Sequence, residues 1–190
     1  VIRLYSSPRA GNNAEWSLLN GFLEVNGVEQ LLLSRARAIY VEPTDEQVTV
    51  LKGRDMLLDG KVHAGNLQMN GQQMKFSYEN FTIDFNKINE IRLSINDLEE
   101  LDYRGNPKKI WLKNALQDIS GQLALDHPRN RSGNRSESFP AFPKFTSKGT
   151  SYVYYDRPDL YNGAYERGIF YYAVSPFEMV GLDKLTRENL

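Results

Sequence analysis

The chemistry open to this sequence is set by eleven tyrosines and nine phenylalanines, two histidines and no cysteine. Without cysteine there is no disulfide framework, no thiolate nucleophile and no Cys-ligated zinc. His63 and His127 are the two imidazoles, and His63 has no carboxylate partner nearby in sequence to mark a metal ligand or general base. No His-Glu-x-x-His pattern, no phosphate-cradling glycine loop with its lysine and no Gly-x-Ser-x-Gly elbow occurs. The reading is therefore of a chain with no catalytic residues, no metal site and no cofactor.

Two residue sets retain some chemical potential. Carboxylates cluster at Asp55 and Asp59, and at Glu99, Glu100 and Asp102. A glycosidase holds two carboxyls about 5–10 Å apart across a cleft; turn chemistry and solvated loops account for the same residues without catalysis. The second set is aromatic: Tyr152-Val153-Tyr154-Tyr155, then Tyr161, Tyr165 and Phe170-Tyr171-Tyr172. On a strand Tyr152 and Tyr154 share a face, as do Tyr171 and Ala173. If the two strands pair, Tyr152, Tyr154 and Tyr171 meet across them, either as structural stacking or as a platform for a sugar or an extended peptide.

The elements that must carry these residues read as strands. Glycine or Asn-Gly punctuation at residues 21, 27, 53, 60, 65 and 71 leaves no room for ordinary helices. The intervening runs at 22–25, 28–33, 38–41, 48–51, 56–62, 67–69 and 74–78 have strand length. Phe81, Ile83 and Phe85, then Ile91, Leu93 and Ile95, alternate with polar residues at a period of two. Residues 87–90 between them read as a hairpin or corner. Residues 14–19 and 113–118 read as short helical turns, and further strands are expected at 119–125, 151–155 and 169–174. The fold class is all-β or β-dominant: short Gly-punctuated strands in a solenoid-like or curved sheet or sandwich, with few short helices. Residues 1–19 read as a linker or the tail of a preceding domain, and 20–190 as a single β-rich domain. A long basic loop at 127–148 carries Arg129, Arg131 and Arg135 and is expected to be exposed and mobile.

The net charge of −1 over 190 residues gives no general pull toward nucleic acid. No apolar run approaches the roughly 18–20 residues of a membrane span. The chain opens Val1-Ile2-Arg3-Leu4 without an initiator methionine or signal peptide, which reads as an internal segment whose partners are the flanking domains of a longer chain.

Three stretches carry a resemblance. They are Leu58-Asp59-Gly60-Lys61-Val62-His63-Ala64-Gly65 with Phe76-Ser77-Tyr78-Glu79-Asn80-Phe81; Gly121-Gln122-Leu123-Ala124-Leu125-Asp126-His127-Pro128; and Ser151-Tyr152-Val153-Tyr154-Tyr155-Asp156 through Phe170-Tyr171-Tyr172. In that order the chain resembles a β-rich region of very large, uncharacterised envelope or surface proteins of Gram-negative bacteria. The resemblance implies a periplasmic or surface setting and brings no catalytic residues with it. The expected function is a non-enzymatic structural or interaction module of such a protein, in contact with another protein or a glycan; the alternative is a carbohydrate-binding or glycan-processing module.

Overall fold

Alternating apolar residues, turn-forming glycines and the lack of helical periodicity produce a β-dominant molecule. The computed structural model describes residues 2–7, 11–103, 105, 107–112, 116–131, 134, 136–156, 158 and 160–185. Fourteen strands run through them: β1 (Ala14–Ser17), β2 (Phe22–Val25), β3 (Leu31–Ser34), β4 (Ile39–Pro43), β5 (Val48–Val50), β6 (Met56–Ala64), β7 (Leu67–Ser77), β8 (Thr82–Leu101), β9 (Pro107–Trp111), β10 (Leu116–Ala124), β11 (Lys144–Ser147), β12 (Ser151–Tyr154), β13 (Tyr171–Val174) and β14 (Glu178–Val180). The only helical segments among the described residues are three single 3₁₀ turns.

All the strands belong to one sheet, whose main path is β1-β2-β5-β6-β7-β8-β10-β11-β14. Strands β3 and β4 join through β6, β9 joins through β8, and β12 with β13 joins through β10. The ladders are antiparallel, in one large sheet that does not close into a barrel; stacked parallel rungs of a solenoid are not among them. The branching has a simple origin. Strands β6, β8 and β10 are each longer than the two strands that share one of their edges, β4 and β5, β9 and β10, and β11 and β12 respectively, so that edge is presented to both in succession.

Several strands are longer than the glycine punctuation implies. Asp59-Gly60 and Asn70-Gly71 are interior to β6 and β7 rather than turns. Gly60 sits at φ +153°, and a Cβ there would lie 2.9 Å from the Pro43 Cα of the adjoining strand. At Gly71 a Cβ would meet the Met74 Sδ at 2.7 Å and the Phe85 ring at 2.8 Å. These glycines allow close backbone and core packing, which is the other meaning of glycine within a strand.

The break in alternation at residues 87–90 is likewise no hairpin. It lies inside β8, where two irregularities follow one another. Against β7, Asn70 faces Glu90 but Gly71 faces Ile88, leaving Asn89 as the extra residue. Against β10, Ile119 faces Ile88 while Gly121 faces Phe85. Each bulge inverts the phase once, so Ile83, Phe85, Ile88 and Ile91 all enter the same core.

That core is one cluster running from Val25 to Leu185, with Phe76, Phe81, Phe85 and Phe145 at its centre. Of the six residues expected on the buried face, Phe81, Ile83, Phe85, Ile91 and Ile95 are buried and Leu93 is half-buried.

Other expectations are corrected. Residues 14–17 form β1 instead of a helical turn, paired with β2 from Ala14↔Val25 to Ser17↔Phe22. The sheet therefore begins ahead of residue 20. Residues 116–118 belong to β10 and not to a helical turn, and 113–115 lie outside the described residues. The loop read as 127–148 stops at residue 143, because Phe145 is fully buried on β11.

The loop is also anchored. Arg37, between β3 and β4, is 2% exposed and pairs at 2.7 Å with Asp126, which is wholly buried. The same guanidinium donates to the carbonyls of Phe139 and Phe142. Asp126 also accepts from the His127 N–H and the Asn130 side chain, and His127 stacks on Phe139 at 4.2 Å. Arg129 and Arg131 at the loop's crest are exposed, while Arg135 lies outside the described residues.

Candidate functional site

The two tyrosine-bearing strands pair. In β12–β13, Tyr152 faces Ala173, Val153 faces Tyr172 and Tyr154 faces Tyr171. Residues directly opposite share a face, so Tyr152, Tyr154 and Tyr171 converge. Their ring centroids are 5.8 Å apart for Tyr152–Tyr154, 5.5 Å for Tyr152–Tyr171 and 6.3 Å for Tyr154–Tyr171. Tyr171 is half exposed; Tyr152 and Tyr154 are partly covered.

A cation completes the cluster. The Arg167 guanidinium lies 3.6 Å from the Tyr154 ring centroid, well inside cation–π range. It is held there by the Gln117 side-chain oxygen at 2.7 Å and by Asp156 at 3.3 Å. The Tyr154 hydroxyl donates to Asp118 at 3.0 Å. Partial desolvation, then the Asp118 hydrogen bond and charge, raise the Tyr154 pKa above its ordinary value, so the phenol is a neutral donor at physiological pH.

The cluster is one end of a longer feature. Strand pairing aligns Glu42, Lys61, Asn70, Glu90, Gln117 and Tyr152 in a single cross-strand row on the outer face of the sheet. Five strand spacings make that row about 24 Å long. A parallel row runs Tyr40, His63, Gln68 and Arg92. At its far end Tyr40 and His63 stack at 4.3 Å with 12° between their planes, and the His63 Nε2 lies 3.3 Å from Glu42. Burial, then the Glu42 charge, raise the Tyr40 pKa. The outward face is thus a polar band with an aromatic stack at each end.

No family model, curated protein or solved structure matches this chain.

The candidate carboxylates are engaged in structural bonds. Asp55 accepts the Tyr78 N–H at 3.0 Å and pairs with Lys75 at 3.4 Å. Asp59 accepts the Gln73 N–H at 2.6 Å, where Gln73 adopts positive φ in a bulge of β7. Four residues of extended chain put Asp55 and Asp59 about 13 Å apart, beyond the spacing of a glycosidase pair. Glu100 pairs with Lys108 at 2.6 Å on the exposed β8–β9 hairpin, which raises the lysine pKa. The Asp97 side chain accepts the Glu99 N–H, as turn chemistry would have it. A trough of about 720 Å³ is lined by Asp59, Lys75, Asp84 and Lys148 together with Leu57, Leu58 and Met74. Within it Asp84 is bound by Gln122 at 2.9 Å and Lys148 at 3.3 Å.

Sequence reasoning missed Arg167, Gln117 and Asp118 around the tyrosines, and Glu42 beside His63. Those partners come from other strands or across a loop, and only the register brings them together. The outward alternation of Tyr40 with Glu42, and of Lys61 with His63, was visible, but not which pair would face which.

Proposed function

We propose that this chain is a non-enzymatic structural or interaction module of a larger bacterial envelope protein, and that its contact surface is the outer sheet face bearing Tyr152, Tyr154 and Tyr171. The carrying observation is the convergence of these three rings, within 6.3 Å of one another, on a solvent-facing strand pair. Structural roles for Asp55 and Asp59, and their separation along the extended chain, support the non-enzymatic reading. The envelope setting rests on the resemblance carried by the stretches around Leu58, Gly121 and Ser151, and fractionation of cells producing the parent protein tests it.

A second reading, a carbohydrate-binding module, is favoured by the make-up of the tyrosine cluster. Flat aromatic faces suit the apolar face of a sugar ring, and the flanking Arg167, Gln117 and Asp118 groups offer donors and acceptors for its hydroxyls. The row from Glu42 to Tyr152 suits an extended chain better than a small molecule.

Calorimetric titration with a panel of polysaccharides, alongside assays for turnover, separates these readings. Binding without turnover, weakened at least about tenfold by Tyr154→Ala or Tyr171→Ala, is the outcome expected of the glycan reading. Absence of both binding and turnover leaves a protein-contact role. Turnover abolished by Asp59→Asn overturns the non-enzymatic proposal.

A further inference from the structure

Strands at the margins of a sheet expose unpaired backbone groups, and proteins blunt them with charge, proline or cover. Most margins here follow that rule. Strand β1 carries Glu15 and β14 carries Glu178; β9 holds Pro107, Lys108 and Lys109. Strand β3 is bridged by Arg3 at Leu32. Strand β13 is the exception among these: Tyr171-Tyr172-Ala173-Val174 has no charge, no proline and no bulge, and among the described residues it pairs with β12 alone. Both its faces are open, with Tyr171 49% and Tyr172 64% exposed.

The phase of the β12–β13 ladder says which backbone groups are available. The Tyr155 N–H bonds the Phe170 carbonyl, so 153/172 and 151/174 are the hydrogen-bonded pairs that follow. Tyr171 and Ala173 therefore turn their N–H and C=O groups away from β12.

We infer that β13 is a self-pairing edge: a second copy of this chain adds antiparallel to it about a two-fold axis through Tyr172. In that register Tyr171 of each copy faces Ala173 of the other, and all four outward N–H groups find carbonyls. The side chains are self-complementary as well. On one face each large Tyr171 lies against a small Ala173; on the other, Tyr172 meets Tyr172 as a close cross-strand aromatic pair. An isologous contact of this kind closes at two copies.

The area is adequate. Tyr155, Tyr161, Ile169, Phe170, Tyr171 and Tyr172 are each 37–77% exposed. Together they offer on the order of 600 Å², against roughly 800 Å² per partner at an interface of standard size. Joining two sheets edge to edge also sets the two clusters of Tyr152, Tyr154 and Tyr171 on one continuous outer face.

Sedimentation velocity of the whole chain across a concentration series should show a monomer–dimer equilibrium. Ala173→Pro should raise the dissociation constant at least about tenfold. The N–H it removes points away from β12, so the hairpin ladder and the far-ultraviolet dichroism are preserved. Because the chain contains no cysteine, Tyr172→Cys supplies a single thiol on the axis, the one position that meets itself. Under mild oxidation it should cross-link the dimer far faster than the exposed control Lys87→Cys. A chain that stays monomeric at every concentration, a dimer unaffected by Ala173→Pro, or equal cross-linking by the two cysteine variants would each overturn the inference and assign the β13 edge to some other partner.

Discussion

Arg37 and Asp126 show how one pair of side chains can organise a segment far away in sequence. A buried charge is costly unless it is paired and hydrogen-bonded. Here the guanidinium contacts both Asp126 oxygens and two loop carbonyls. Asp126→Asn keeps an acceptor and a similar shape but leaves a buried cation without its counter-charge. The expected cost is about 3–5 kcal/mol, read as a drop in urea midpoint at constant slope. The loop at 127–143 loses its tether in that variant, so trypsin should cut at Arg129 and Arg131 much sooner than in the parent chain. None of this was legible from the sequence. Arg37 lies in a polar turn and Asp126 ends an apolar run, and a lone charge in either place reads as solvated. The tyrosines were legible, because a period-two arrangement of Tyr152 and Tyr154 fixes their common face whatever their neighbours are. Their cation, Arg167, was not, because it reaches the cluster from the loop between β12 and β13.

At the scale of the element, the β-rich character and the inward placing of Ile83, Phe85 and Ile91 on β8 followed from alternation alone. Strand length did not, because glycine has two uses in a sheet and the sequence does not say which applies. Gly60 and Gly71 serve close packing within strands, whereas Gly65 sits in the β6–β7 turn at φ +62°. The phase change between Phe85 and Ile91 is the clearest instance of this ambiguity. A corner and a pair of bulges produce the same pattern of apolar positions, and only the partners β7 and β10 distinguish them. Asn89 therefore matters for its presence and not for its side chain. Deleting it turns residues 90–95 over, sending Ile91 outward and Arg92 inward. The transfer terms of Ile91 and Ile95, both buried and at roughly 1.5–3 kcal/mol each, are then forfeited, and the deletion should unfold the chain or cost about 3–6 kcal/mol. Asn89→Ala, which keeps the residue count, should stay within about 1 kcal/mol. Equal effects of the two changes in urea unfolding would mean that the register is set elsewhere.

At the scale of the whole molecule, a sheet this wide closes its core with chain ends and turns instead of helices. Residues 181–185 do much of that closing. Leu182 is fully buried and Leu185 nearly so. The Leu182 carbonyl accepts the Asn66 N–H at 2.8 Å, and the Leu182 N–H donates to Pro143. The Leu185 carbonyl accepts both the Asn96 N–H and the Asn66 side chain. One short segment thus clamps the β6–β7 turn, the middle of β8 and the end of the anchored loop. Two leucines in it are spaced to drop into the core beside Asn66. Leu182→Ala should cost about 2–5 kcal/mol. The loss should also be uneven. The Asn66 and Asn96 amides depend on this segment for their acceptors, so their hydrogen exchange should accelerate before that of Met69 or Met74, whose strand is paired on both sides. Uniform acceleration across β7 and the β6–β7 turn would show that the closing segment unfolds only with the whole sheet.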